Sequence, residues 1–119
     1  RDDLLGMFGD PVITGKPAGD DLREGKRALL LAYGLRAADR QHPAAADLLR
    51  GAIGDPHVDE DTVTTIRELL LELGAVAEVE RRITELTDSA LAELCTADLA
   101  EPASAQLTEL ATQATCRTL

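Results

Sequence analysis

From about residue 57 onward the apolar positions recur with helical spacing. Ile66, Leu69, Leu70 and Leu73 fall at i, i+3, i+4 and i+7. That stripe predicts a helix with one buried face, with Asp59 as its N-cap and Gly74 as its stop. Val76, Val79, Ile83, Leu86, Ala90 and Leu94 follow at steps of three and four, with Glu78, Glu80, Arg81, Arg82 and Glu85 between them. They predict an amphipathic helix from about Ala75 to Cys95. Pro102 suits the first turn of a last helix carrying Leu107, Leu110, Ala111 and Ala114, and Pro43 suits the start of a short one through Leu48 and Leu49. Gly54-Asp55-Pro56-His57 and Gly9-Asp10-Pro11 read as turns. No stretch alternates apolar and polar residues with β-branched enrichment, and Val12-Ile13-Thr14 is too short and too closely flanked by proline and glycine to be a strand. The pattern therefore predicts an all-α fold, with six helical segments on short loops packing as an antiparallel array, mostly against sequence neighbours.

Composition agrees with this picture and narrows it. The 119 residues are 45% hydrophobic and 29% charged, the profile of one ordinary globular domain. Phe8 and Tyr33 are the only aromatics, so aliphatic side chains must fill the core. Leu and Ala dominate, which favours helix. The net charge of -10 is unevenly distributed: residues 1–40 hold seven acids and seven bases, residues 41–119 fifteen acids and five bases. The balanced front is thus the region suited to an anionic ligand, while the acidic remainder repels polyanions. With almost no aromatics to stack on bases, nucleic acid is not an expected partner. No apolar run approaches the roughly eighteen residues of a membrane span. Cys95 and Cys116 stand twenty-one positions apart without metal-ligand spacing and read as reduced thiols. Cys95, in register with Leu91 and Leu94, is expected to be buried, and Cys116 to be exposed. His42 and His57 sit beside prolines and read as solvated turn residues.

The chemistry concentrates in residues 1–27, RDDLLGMFGDPVITGKPAGDDLREGKR. Adjacent aspartates on a helix project about 100° apart. Asp2 and Asp3 can therefore offer hard oxygen ligands to one Mg2+ while leaving positions for water or phosphate, or they can be solvated acids near a helix end. Lys16 and Lys26 are the only lysines, the ten other bases all being arginine. A compact ammonium can contact several phosphate oxygens without the planar constraint of guanidinium. Gly15 and Gly19 allow close backbone approach in the connecting loop, and Asp21 with Glu24 three residues on suits a helix start. Gly25 then falls inside that helix, at a cost of about 1 kcal/mol against alanine. Gly9 to Lys16 does not make a nucleotide-binding P-loop, because the glycine spacing is wrong and Pro17 stands where serine or threonine is required.

The string DDLLGMFGDPVITGKPAGDDLREGKR resembles the stretch of trans-isoprenyl diphosphate synthases that runs from the second aspartate-rich motif through the GKP loop to the DLREGK helix. The remainder, including ELGAVAEVERRITEL and the last alanine/leucine-rich helix, is similar to the C-terminal end of that polyprenyl synthetase family. The resemblance implies that residues 1–119 form the C-terminal portion of an isoprenoid-synthase-type helical bundle, with residues 1–27 carrying the motifs and residues 28–119 the C-terminal helices. It implies Mg2+ as cofactor, Asp2 and Asp3 as metal ligands, and Asp21 near the metal and diphosphate. It also implies Lys16 and Lys26 as the catalytic, diphosphate-binding lysines. Gly6 departs from the pattern, which often ends in a third aspartate, and Asp10 is one candidate to compensate.

The implied reaction is the condensation of isopentenyl diphosphate with an allylic diphosphate to a longer, geranylgeranyl-type product, in a cytoplasmic enzyme expected to be a homodimer when complete. The first aspartate-rich motif and the isopentenyl diphosphate site of that family are expected upstream of Arg1, so the 119 residues alone are expected to be inactive. The alternatives are a non-catalytic helical interaction or regulatory module that keeps the fold and, last, an isoprenoid cyclase, whose signatures the GKP and DLREGK strings do not resemble. Arg117 reads as a solvated helix end rather than a phosphate contact.

Overall fold

A computed structural model describes residues 1–116, and every regular element among them is helical. The order is α1 (Asp2–Phe8), α2 (Pro11–Thr14), α3 (Asp20–Arg23), α4 (Leu29–Gln41), α5 (Pro43–Ala52), α6 (Glu60–Glu72), α7 (Ala75–Thr96) and α8 (Glu101–Thr115). These are eight helices rather than six. Two differences raise the number: α2 is a single turn too short to leave a periodic signature and set instead by its caps, and the helix expected to run from Asp21 through Gly25 stops there as α3, separate from α4. Asp10 accepts a hydrogen bond from the Val12 amide at 2.9 Å, Pro11 occupies the first turn, and Gly15 closes α2 at φ 72°. Val12 and Ile13 lie in this turn, not in a strand.

The chain divides into two compact units within α7. The first, Asp2–Val79, holds all of the buried apolar residues among those described, including Leu4, Leu22, Leu30, Leu49, Ile66 and Leu70. Here α4 packs on α5 and α6, and α1 packs on α3 and α4. Three of these four contacts join elements that are not sequence neighbours, contrary to the expectation of mostly local packing. The predicted stripe of α6 is present: Ile66 and Leu70 are fully buried and Leu73 nearly so. Asp59 caps the helix by accepting from the Thr62 amide at 2.8 Å, and the bonds to Thr62 hold its carboxyl below the usual range.

The second unit comprises residues 80–116 with Arg1. Arg1 pairs with Glu80 (Nη2 to Oε2, 2.8 Å) and donates from Nε to the Thr115 carbonyl at 3.0 Å. No described residue from Glu80 to Cys116 is buried, and Leu86, Leu99, Leu107 and Leu110 are exposed. The expected burial of Cys95 is therefore wrong. The thiol follows the apolar register of α7, but within its own unit that register meets no covering layer, and Cys95, like Cys116, is exposed and free. His42 and His57 are exposed in connections, as expected. Arg117 lies outside the described residues. No helix among the described residues is long and apolar enough to cross a membrane.

Candidate functional site

The turn after α3 decides the geometry of the site. Glu24 is the last residue of this helix in helical conformation, and Gly25 follows at φ 67°. The Lys26 amide donates to the Asp21 carbonyl at 3.0 Å and the Gly25 amide to the Leu22 carbonyl at 3.0 Å. This pair of bonds is the Schellman motif, which ends a helix on a left-handed glycine and folds the following residue back over the last turn. Gly25 is thus the stop of the helix rather than a defect inside it. The expected start at Asp21 is also displaced: Gly19 is the N-cap and Asp21 lies in the first turn. The bare Gly25 Cα faces a neighbouring backbone, since a Cβ there would stand 3.1 Å from Gly54 Cα. The Gly54 amide in turn donates to the Leu22 carbonyl at 2.9 Å.

The Schellman turn brings the Lys26 side chain onto the Asp21 side chain, with Nζ 2.7 Å from Oδ2. Helix α1 supplies two more carboxylates, Asp2 Oδ2 at 3.5 Å and Asp3 Oδ1 at 3.7 Å from the same ammonium. Asp2 is almost fully exposed, whereas Asp3 and Asp21 are largely enclosed. The hydrogen bond to Asp21 and the negative field of Asp21, Asp2 and Asp3 raise Lys26 above its ordinary value, against the opposing effect of partial burial. Lysine thus remains cationic throughout the neutral range.

Asp3 has a second task. Its Oδ2 accepts from the Leu29 amide at 2.8 Å, at the start of α4, where Ala28 offers no side-chain cap. One carboxylate therefore caps α4 and faces Lys26 with its other oxygen.

The structure does not bring Lys16 into this group. Its ammonium is 3.8 Å from Asp20 Oδ2 and mostly exposed, on a surface concavity lined by Pro11, Gly15, Lys16, Pro17, Ala18 and Glu60. Asp10 is occupied as the cap of α2 and does not join the cluster. Sequence reasoning missed Arg23. Its guanidinium donates to the carbonyls of Ala18 (3.1 Å) and Val58 (3.0 Å) and to Glu60 (2.6 Å), fastening the loop that carries Lys16 to the entry of α6. Local spacing carried no signal for this role, because Asp20 three residues earlier offers a partner on the same helix, whereas Val58 and Glu60 lie far along the chain.

Among the described residues, no three carboxylate, thiol or imidazole groups converge closely enough to enclose a metal ion by themselves. Asp2, Asp3 and Asp21 instead direct their hard oxygens at the Lys26 ammonium, and Mg2+ would need further donors beside them. This ion is commonly held by one or two carboxylates together with phosphate oxygens and water rather than by an all-protein cage.

Known proteins share both the sequence and the fold of this chain. The family model for polyprenyl synthetase matches residues 1–70. The chain is 38% identical over 82 residues to the geranylfarnesyl diphosphate synthase of Aeropyrum pernix, covering 69% of this chain and 24% of that one. It is 34% identical over 92 residues to the (2E,6E)-farnesyl diphosphate synthase of Mycobacterium tuberculosis, covering 73% and 25%. Among solved structures, the geranylgeranyl pyrophosphate synthase of Corynebacterium glutamicum complexed with isoprenyl diphosphate and magnesium matches with TM-score 0.91 and 50% identity, over 99% of this chain and 33% of that one. The chain spans about a quarter of the length of these curated relatives and a third of the solved structure.

Proposed function

Because the chain belongs to the polyprenyl synthetase family, we propose that it forms the diphosphate-handling, C-terminal part of a Mg2+-dependent trans-prenyltransferase that condenses isopentenyl diphosphate with an allylic diphosphate. In this reading residues 1–27 carry the chemistry and residues 28–119 the supporting helices. The observation that supports it is the convergence of Asp2 and Asp3 from α1 with Asp21 and Lys26 from the α3 turn. A cation among carboxylates beside a charge-balanced loop is suited to a diphosphate that arrives with its own divalent ion. A geranylgeranyl-type product is favoured by the 50% identity to a synthase of that name. The cytoplasmic location and the homodimer belong to the same reading and rest on the resemblance alone.

The roles follow from the contacts. Asp2, Asp3 and Asp21 would hold Mg2+, which when bound neutralises diphosphate charge and eases its departure from the allylic carbon. Lys26 donates to diphosphate oxygens from a position fixed by Asp21, and stays protonated as negative charge builds on the leaving group. Lys16, on its exposed loop, contributes a second ammonium as the ligand closes on the GKP segment. The 119 residues contain one aspartate-rich motif, and by themselves we propose that they bind diphosphate without turning it over.

Calorimetric titration of inorganic pyrophosphate, with and without Mg2+, tests the assignment. Mg2+-dependent binding that weakens about tenfold or more for each of Lys16→Ala and Lys26→Ala is the expected result, as loss of a charge-assisted hydrogen bond implies. Binding that is unaffected by both substitutions would remove the lysines from the site.

A further inference from the structure

Gly6 of α1 departs from the family's aspartate pattern, and the structure gives it a positive role. A Cβ built on Gly6 would lie 2.5 Å from Asp21 Oδ2 and 2.9 Å from Asp21 Cγ. That same Oδ2 accepts the 2.7 Å bond from Lys26. The carboxylate that fixes the lysine therefore rests in the space that any other residue at position 6 would fill. The backbone is closed there as well, because the Gly19 amide donates to the Gly6 carbonyl at 3.2 Å, holding the start of α3 against α1. We propose that Gly6 is a positioning residue: its missing side chain seats the Asp21 carboxylate against α1, so that Asp21 supplies from α3 the third acid that this motif lacks at its own fifth position.

The inference deepens the functional reading above and shares its site. An aspartate side chain has only two rotatable bonds, and Asp21 is only 15% exposed, so its oxygen has little room to retreat. A Cβ at 2.5 Å must move it, and moving Oδ2 loosens the hydrogen bond to Lys26. An aspartate at position 6 of this chain consequently displaces the Asp21 oxygen from its present seat rather than simply adding a ligand. On this inference the glycine does not leave the site one carboxylate short, because Asp21 takes the missing acid's place.

The decisive comparison is Gly6→Asp and Gly6→Ala against the unaltered chain. Pyrophosphate titration in the presence of Mg2+ is paired with thermal melts of Gly6→Ala in the Asp21 and Asp21→Ala backgrounds. We expect both Gly6 variants to bind about tenfold more weakly, the scale of one charge-assisted hydrogen bond. The melts should show coupling: Gly6→Ala lowers the melting temperature while Asp21 is present and raises it once Asp21 is alanine, because the clash is gone and alanine is the better helix former. Tighter binding by Gly6→Asp, or a melting change that is the same in both backgrounds, overturns the inference. If the unaltered chain does not bind pyrophosphate at all, the functional reading falls, and the melts alone decide whether Gly6 seats Asp21.

Discussion

At the residue scale, Asp3 shows how one side chain can cap a helix and pair with a cation at once. Its Oδ2 caps the first turn of α4 from 26 positions upstream, while its Oδ1 faces Lys26. The two tasks need different properties of the group: the cap needs an acceptor oxygen, and the pairing with a cation needs a negative charge. Asp3→Asn should therefore keep most of the stability of the chain but weaken Mg2+-dependent pyrophosphate binding. Asp3→Ala should lose both, with about 1 kcal/mol of stability lost with the cap. Chemical denaturation of the two variants checks this, and equal loss of stability in both would show that the charge, not the acceptor, holds α4. Lys26 illustrates the same coupling, since the backbone turn that stops α3 is what points its ammonium at Asp21.

At the element scale, close approach of helices rests on single glycines. Gly34 is buried in α4, where a Cβ would stand 2.3 Å from Leu70 Cδ2 of α6. In an open helix, Gly→Ala gains about 1 kcal/mol in propensity. Here Leu70 is fully buried, so overpacking of about 1–3 kcal/mol opposes that gain. Gly34→Ala should lower stability by about 1 kcal/mol in a denaturant melt, whereas the same change at Gly51 of α5, where nothing lies within 4 Å of a Cβ, should raise it. The contrast matters for the site because α1 packs on α4 as well as α3. A displaced α4 shifts the Leu29 amide that Asp3 caps.

At the scale of the whole molecule, burial is unevenly shared. The unit Asp2–Val79 contains the buried residues, and residues 80–116 contain none. Amides that open without exposing a core are protected only weakly. Native-state hydrogen exchange should accordingly find α8 exchanging orders of magnitude faster than α4 and α6, and matched protection in all three would contradict the division. Much of the fold was legible in sequence at this scale. The all-α class, the α6 stripe from Ile66 to Leu73, the Asp59 cap and the proline starts at Pro43 and Pro102 all follow from local spacing, because a helix is stabilised within one stretch of chain. The cluster of Asp2, Asp3, Asp21 and Lys26 was foreshadowed only as residue types gathered in one segment. What the sequence could not determine was whatever depends on a second element. The exposure of Cys95 depends on what covers α7, the separation of Lys16 from Lys26 depends on the path of the loop, and the Gly6 cradle for Asp21 depends on how α3 meets α1. Spacing along one chain segment determines which side of a helix is apolar, but only the tertiary structure decides which atoms of two different elements occupy the same few ångströms.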